Sequence, residues 1–286
     1  MNKYKLVAEL LTHQGLLAGN AFHRPRPAPR EWIELAHSTK YVDQVFSCAV
    51  PSEISREIGF PMKEDIALRA RCATGGSVLA GYLALEHGLA CNTAGGSHHA
   101  RYAHGAGFCV FNDVAVAIRV LQADSQVQRA LVIDLDVHQG DGTADIFSED
   151  DSVFTFSMHC QSNYPVRKVP SNWDVGLEVG LGDDAYMEQL ALCLPKLLSE
   201  TEPHIVFYNA GVDPYEGDRL GRLCMTRQGL AARDLKVISA VRARGIPLVG
   251  VMGGGYSRDV PELADRHLGL FRAARAVADA ETMHQN

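Results

Sequence analysis

The chain has 286 residues, 47% hydrophobic and 21% charged, with a formal net charge of −7. That is enough apolar material for one large domain, and the acidic balance lacks the basic excess of a general nucleic-acid binder. Seven cysteines, at 48, 72, 91, 109, 160, 193 and 224, form no C-x-x-C pair, which argues against a disulfide framework or a cysteine-rich metal site and for a reducing, cytoplasmic setting.

The N-terminal MNKYKLVAELLTHQGL reads as an amphipathic helix, with Leu6, Val7, Leu10 and Leu11 on one face. It lacks the apolar core and cleavage site of a signal peptide, and no apolar run approaches a membrane span. HRPRPAPR, with prolines at 25, 27 and 29, predicts a surface loop with solvated basic residues. Residues 63–88 predict a helix interrupted at Gly75-Gly76. Strands near 89–93, 130–137, 153–158, 204–209 and 247–252 then alternate with helices near 112–122, 142–148, 184–199, 227–244 and 260–278. Asn112 and Asp113 open the first of these helices as a cap, and Gly245 followed by Pro247 closes the fourth. This alternation predicts an α/β fold: a single domain over 1–286 with a mostly parallel central sheet and helices on both faces.

Three strands end in polar residues: DVHQGD, NAGVD and GGGY. Open α/β sheets place ligand sites outside the carboxyl ends of their strands. In LVIDLDVHQGDG (131–142), strand alternation puts Asp134, Asp136 and His138 on one side. Each alone reads as a capped strand end. Together they leave unpaired interior charge, a cost that a divalent cation removes. In GGSHHA, His98 and His99 follow a glycine pair. A lone buried histidine is usually structural, but neutral imidazole can take and return a proton near neutral pH. Asp134 and Asp141 are carboxylates able to fix histidine tautomers. Asp213, in NAGVDPYEGDRLG, belongs either to a tight turn or to a metal site as a third ligand. MGGGYS sets Tyr256 behind three glycines. No Lys-Ser/Thr pair follows, which weakens a phosphate cradle. Close backbone approach with a tyrosine hydroxyl as oxyanion donor is the alternative.

In this order, GGSHHA, GFCVFNDVA, DLDVHQGDG, NAGVDPYEGD and GGGY resemble the zinc-dependent histone deacetylase superfamily over roughly the whole chain. GGSVLAGYLALEHGLACN and EGDRLG are most similar to its class IV branch and bacterial relatives. The resemblance implies an arginase/deacetylase-like fold and a metal-dependent amidohydrolase that removes acetyl or other acyl groups from lysine side chains. Acetylpolyamine hydrolysis, which would favour an acidic rim, is the alternative, and a catalytically silent binder of the same fold is a third reading. The resemblance implies Asp136, His138 and Asp213 as ligands of Zn2+, a set that also accommodates Fe2+. It implies His99, paired with Asp141, as the general base and acid, and His98, paired with Asp134, as electrostatic support. Tyr256 would donate to the oxyanion, and K+ would bind near Asp134 and Ser157. Gly107, Phe108 and Leu220 would line an acyl-lysine tunnel, with Tyr164 the candidate for its other wall. The implied partner is an acyl-lysine protein or peptide, or another acetylated amine; oligomeric state is not legible. Family members begin with a strand and a His-Arg-Phe-Pro-Met-like stretch, whose arginine lies in an internal channel thought to serve acetate release. MNKYKL starts inside that motif, so the usual first strand is expected to be missing, through a truncated start or a real loss.

Overall fold

Apolar runs in three segments divide between two sets of neighbours. Leu131 and Ile133, Val206 and Tyr208, and Leu248 enter one core cluster. Ala130 and Val132, Ile205 and Phe207, Val249 and Val251 enter another. Strands apolar on both faces must be covered on both, and that requires helices above and below a parallel sheet.

The computed structural model describes residues 3–17 and 22–285, without the side chains of 284 and 285. Helices α1 (Lys3–His13), α2 (Arg30–Ile33), α3 (Thr39–Phe46), α4 (Ser52–Ile58) and α5 (Glu64–His87) precede the first strand of the described residues, β1 (Leu89–Cys91). Then come α6 (Asp113–Ala123), β2 (Ala130–Asp134), α7 (Asp141–Ile146), β3 (Val153–Cys160), β4 (Trp173–Leu177) and α8 (Asp183–Glu200). The chain continues through β5 (Ile205–Asn209), α9 (Arg227–Arg242), β6 (Leu248–Val251) and α10 (Val260–Gln285). The sheet order is β1-β6-β5-β2-β3-β4, and every pairing is parallel. Residues of α1, α8, α9 and α10 cover one face; α5 and α6 cover the other. A smaller cluster joins α3 and α4 to the start of α5 and to Val110 and Phe111. This is the single α/β domain expected from the sequence. The expected range of 1–286 includes residues 1–2, 18–21 and 286, which lie outside the described residues.

Several local expectations change. Helix α5 runs unbroken through Gly75-Gly76. The glycines serve close packing instead: a methyl at Gly75 would overlap the Arg26 carbonyl, and one at Gly76 would lie 2.8 Å from the Asn92 amide. The proline-rich loop keeps Arg24 and Arg26 exposed but buries Ala28 completely. Ala28 donates its N–H to Arg71 O at 2.9 Å and accepts from Arg71 Nε at 3.0 Å. Strand β2 stops at Asp134, short of the expected 137, yet Leu135 and Val137 still turn into the core. The expected caps form: Asn112 Oδ1 accepts the Ala115 N–H at 3.0 Å, and Gly245 takes φ +70 beyond α9. Among the described residues no helix is long and apolar enough to cross a membrane.

Strand order reverses around β2, whose neighbours β3 and β5 lead to opposite sheet edges. Loops leaving β2, β5, β6 and β1 therefore gather at one end, where a doubly wound sheet opens its crevice.

Candidate active site

The loop after β2 supplies most of the charge. Carboxylates accepting backbone N–H groups brace its turn: Asp136 N–H donates to Asp134 Oδ1 at 3.1 Å and His138 N–H donates to Asp136 Oδ1 at 3.0 Å. From β5, Asn209 Nδ2 donates to Asp134 Oδ1 at 3.0 Å. Val137 N–H donates to Asp213 Oδ1 at 2.9 Å, which draws the β5 loop onto the β2 loop. Behind both, the fully buried Arg233 of α9 donates to Leu135 O at 3.1 Å and Gly211 O at 2.7 Å. Its charge is met by Asp234 at 2.8 Å.

Asp136, His138 and Asp213 converge, each offering one donor atom within 4.8 Å of the others, and all three are buried. His138 Nδ1 lies 3.0 Å from Asp136 Oδ1 and 3.2 Å from Asp213 Oδ2. Asp213 Oδ2 makes no hydrogen bond, an orphaned buried carboxylate oxygen. Gly254 lets the backbone approach: its N–H donates to Asp136 Oδ2 at 2.7 Å, and a side chain there would strike Asp213. Burial and the Asp136 charge push Asp213 up to about 7. Burial would raise Asp136 too, but His98 and His138 hold it well below the usual carboxylate range. Burial lowers His138, yet contacts with Asp136 and Asp213 outweigh it and raise His138 to about 10. Two carboxylates and one imidazole, with an orphaned oxygen among them, fit a divalent cation and leave coordination positions open.

The tandem histidines lie beside this cluster with ring centroids 4.1 Å apart. His98 Nδ1 donates to Asp134 Oδ2 at 2.7 Å, and His99 Nδ1 to Asp141 Oδ1 at 2.6 Å. Each carboxylate fixes a tautomer and leaves the Nε2 side free of that bond. Burial lowers His98, but Asp134 and Asp136 overcome it and raise it to about 9. Burial and the adjacent His98 charge lower His99 to about 4. One ring is thus cationic at neutral pH and the other neutral. Arg101 Nη2 donates to the second Asp141 oxygen at 2.7 Å, and Asp141 is held low by His99 and Arg101 against its burial.

Tyr256 faces the cluster from the β6 loop, its ring centroid 6.1 Å from His138 and 5.9 Å from Phe108. Burial and the Asp213 and Asp136 charges raise its hydroxyl well above the ordinary value, so it stays a proton donor. Gly107 and Phe108 both have positive φ, +51 and +67, in a turn anchored to Glu57 O and Ile58 O at 2.9 Å. A side chain at Gly107 would overlap the His99 ring, and the strained Phe108 backbone turns its ring to the mouth. Tyr164 meets His99 edge-on at 4.8 Å. Asn163 links its loop to the next wall, donating to Leu220 O at 2.6 Å and accepting Arg222 N–H at 3.2 Å. Phe108, Tyr164 and Leu220 are half exposed and line a pocket of about 420 Å³, with His99, His138 and Tyr256 also on its wall. A larger cavity of about 800 Å³ between α1, α5 and α10 borders this region at Gly95, Ser97 and Phe108, but none of the titratable cluster lines it.

All the site residues named from the sequence therefore surround one pocket or the buried cluster at its base. Asp134 and Ser157 are register partners across β2 and β3. Ser157 Oγ contacts His159 Nδ1 at 3.0 Å and Gly140 N–H at 3.4 Å. Sequence reading passes over Arg101, Asn163, Asn209, Asp218 and Arg233. Asn209 and Asp218 lie within the NAGVDPYEGD stretch, but their own side-chain roles, like those of the other three, rest on contacts remote in sequence: with Asp134, Tyr256, Asp141, Leu220 and Leu135 respectively for Asn209, Asp218, Arg101, Asn163 and Arg233.

Comparison with known proteins agrees with this geometry. The histone deacetylase domain model matches residues 1–270. An uncharacterised Picosynechococcus protein is 47% identical over 97% of this chain and 92% of its own length. Histone deacetylase 2 of Arabidopsis thaliana is 32% identical over 90% of this chain and 69% of its own. Histone deacetylase 1 of rice is 31% identical, and the chain covers 52% of it. The crystal structure of the HDA15 HD domain superposes with a TM-score of 0.81 over 99% of this chain and 85% of that one, at 22% identity, a likeness of fold. Because the domain model runs from before α1 into α10, across the whole sheet and every loop that bears the site, the chain belongs to the histone deacetylase family.

Proposed function

We propose that the chain is a zinc-dependent amide hydrolase that removes an acetyl or related acyl group from a lysine side chain of a protein or peptide. The observation that carries this reading is the buried Asp136–His138–Asp213 convergence beside two histidine–aspartate pairs, at the base of a pocket that Phe108, Tyr164 and Leu220 help to wall. Family membership supports amide hydrolysis in general terms, and the same donors also accept Fe2+.

Asp136, His138 and Asp213 would hold the metal. When bound, a divalent cation polarises an acyl carbonyl and acidifies water. His99 is neutral, held by Asp141, and presents Nε2 to take a proton from attacking water and return it to the leaving amine. His98 stays cationic between Asp134 and Asp136 and stabilises negative charge as it develops. The Tyr256 hydroxyl donates to the oxyanion. Phe108, Tyr164 and Leu220 enclose the alkyl chain and exclude water. A potassium ion near Asp134 and Ser157 belongs to the same reading.

Charge at the mouth favours acyl-lysine over a polycation. Arg56 and Arg222 line the pocket, and neither side chain has an ion-pair or hydrogen-bond partner among the described residues. Glu57, the acidic residue there, pairs with His104 at 3.3 Å. Acetylpolyamine would meet two unpaired guanidinium groups. The test is a side-by-side kcat/KM comparison of acetyl-lysine peptide, longer acyl-lysine peptide and acetylspermidine. The peptide is expected to lead; a lead for acetylspermidine would overturn the assignment.

A further inference from the structure

The loop after Asp213 carries a second carboxylate with no part in the scheme above. The Asp218 side chain is fully shielded from solvent. Its Oδ1 accepts the backbone N–H groups of Leu220 at 2.9 Å and Gly221 at 3.1 Å. Its Oδ2 accepts the Tyr256 N–H at 2.7 Å, and the Tyr256 carbonyl accepts the Arg219 N–H at 3.1 Å. Buried Arg266 lies 4.0 Å from Oδ2, 3.0 Å from Glu262 and 4.2 Å over the Tyr215 ring, so a positive charge backs the carboxylate.

The segment before Tyr256 is three glycines, which bring no side chains to fix it, and Gly253 and Gly255 both take positive φ. Its orientation must come from outside contacts. Both groups of donors are backbone N–H, so the clamp needs acceptors on both sides, which an ionised carboxylate supplies.

We propose that Asp218 is a positioning residue for Tyr256. One oxygen holds the tyrosine loop, the other holds the Leu220 wall, and so the oxyanion donor and the acyl-chain slot are set by a single group. This rests on the hydrolase reading, in which the Tyr256 hydroxyl acts on the substrate.

Asp218→Asn separates the two halves. Asparagine keeps one acceptor, and aiming it at Leu220 and Gly221 preserves two hydrogen bonds, whereas its NH2 group then confronts the Tyr256 N–H. The experiment is a cycle of wild type, D218N, Y256F and the double variant on an acetyl-lysine peptide, with metal content measured in each. D218N is expected to lower kcat about tenfold or more with KM within about threefold, as for a displaced catalytic group. Because Asp218 acts through Tyr256, the double variant is expected to turn over within about twofold of Y256F alone. Losses that multiply, or an unchanged kcat in D218N, would overturn the inference. If D218N does not fold, Asp218→Glu carries the same cycle, since it keeps charge and acceptors but shifts them by one methylene. An active wild type with multiplying losses sinks this inference alone; a metal-loaded but inactive wild type sinks the hydrolase reading and this inference with it.

Discussion

Asp141→Asn isolates the role of the carboxylate behind His99. In the native site Asp141 accepts from His99 Nδ1 at 2.6 Å and from Arg101 Nη2 at 2.7 Å. Asparagine offers one acceptor and one donor group. The Arg101 side chain is 26% exposed and can turn toward water, whereas His99 is 4% exposed and cannot. The amide oxygen is therefore expected to face His99, leaving fold and tautomer intact. What disappears is the negative charge that stabilises the imidazolium when His99 takes a proton. A hydrogen bond to a charged partner contributes about 1.5–3 kcal/mol, so a loss of about 2–3 kcal/mol in the transition state lowers kcat by roughly 30- to 150-fold. Steady-state kinetics on an acetyl-lysine peptide reads kcat and KM, and KM is expected to hold because Asp141 does not line the pocket. Arg101→Ala removes only the outer, partly solvated partner and is expected to cost less than about fivefold, in line with partly exposed ion pairs. Full kcat in D141N, or a loss in R101A equal to that of D141N, would refute the reasoning.

His37 gives a stability prediction away from the pocket. It is buried, its Nε2 accepts the Asn112 N–H and its Nδ1 donates to Arg101 O, both at 2.9 Å, so it must stay neutral. Burial lowers it from 6.5 to about 4. The unfolded chain thus binds a proton that the native state refuses: this contribution is fully present above pH 6.5 and is lost as pH falls toward about 4, by about 3 kcal/mol in all. Urea titrations of wild type and His37→Gln across that window are expected to converge as pH falls; parallel curves would contradict it. Metal loading is expected to displace the proton from His138 and, below about pH 7, from Asp213 as well, so apparent affinity should rise at least about tenfold per pH unit through the neutral range, with proton release visible by calorimetry in two buffers; a flat profile would remove His138 as a ligand. At the mouth, Arg56→Glu with Arg222→Glu should cut kcat/KM for a peptide with acidic residues flanking the acetyl-lysine by about 3- to 20-fold at low salt, with a neutral peptide changed less; equal effects on both would show that the arginines do not read substrate charge.

The strands that bear the site are legible because burial on both faces leaves unbroken apolar runs, and ionisable residues at their ends are conspicuous against that background. Asp134, Asp136 and His138 stand out for this reason, although β2 itself ends at Asp134 and the loop merely continues the alternation. Strand β4 escapes because Trp173-Asp174-Val175-Gly176-Leu177 is short, carries Asp and Gly, and lies at a sheet edge. Gly75-Gly76 misleads because propensity counts glycine against a helix, whereas here the missing side chains let the Arg26 carbonyl and Asn92 approach. The supporting residues are illegible for a different reason. Arg233 reaches Leu135 O and Arg101 reaches Asp141 across long sequence separations, and such contacts exist only once the sheet has brought its loops together.

The most direct test of the central claim is to strip the protein with a chelator, titrate Zn2+ back, and follow hydrolysis of an acetyl-lysine peptide beside Asp213→Ala. Wild-type activity is expected to vanish on stripping and to return to a plateau at one equivalent of metal, while Asp213→Ala neither retains metal nor recovers. Activity that survives stripping, or a fully loaded wild type that hydrolyses nothing, would contradict it.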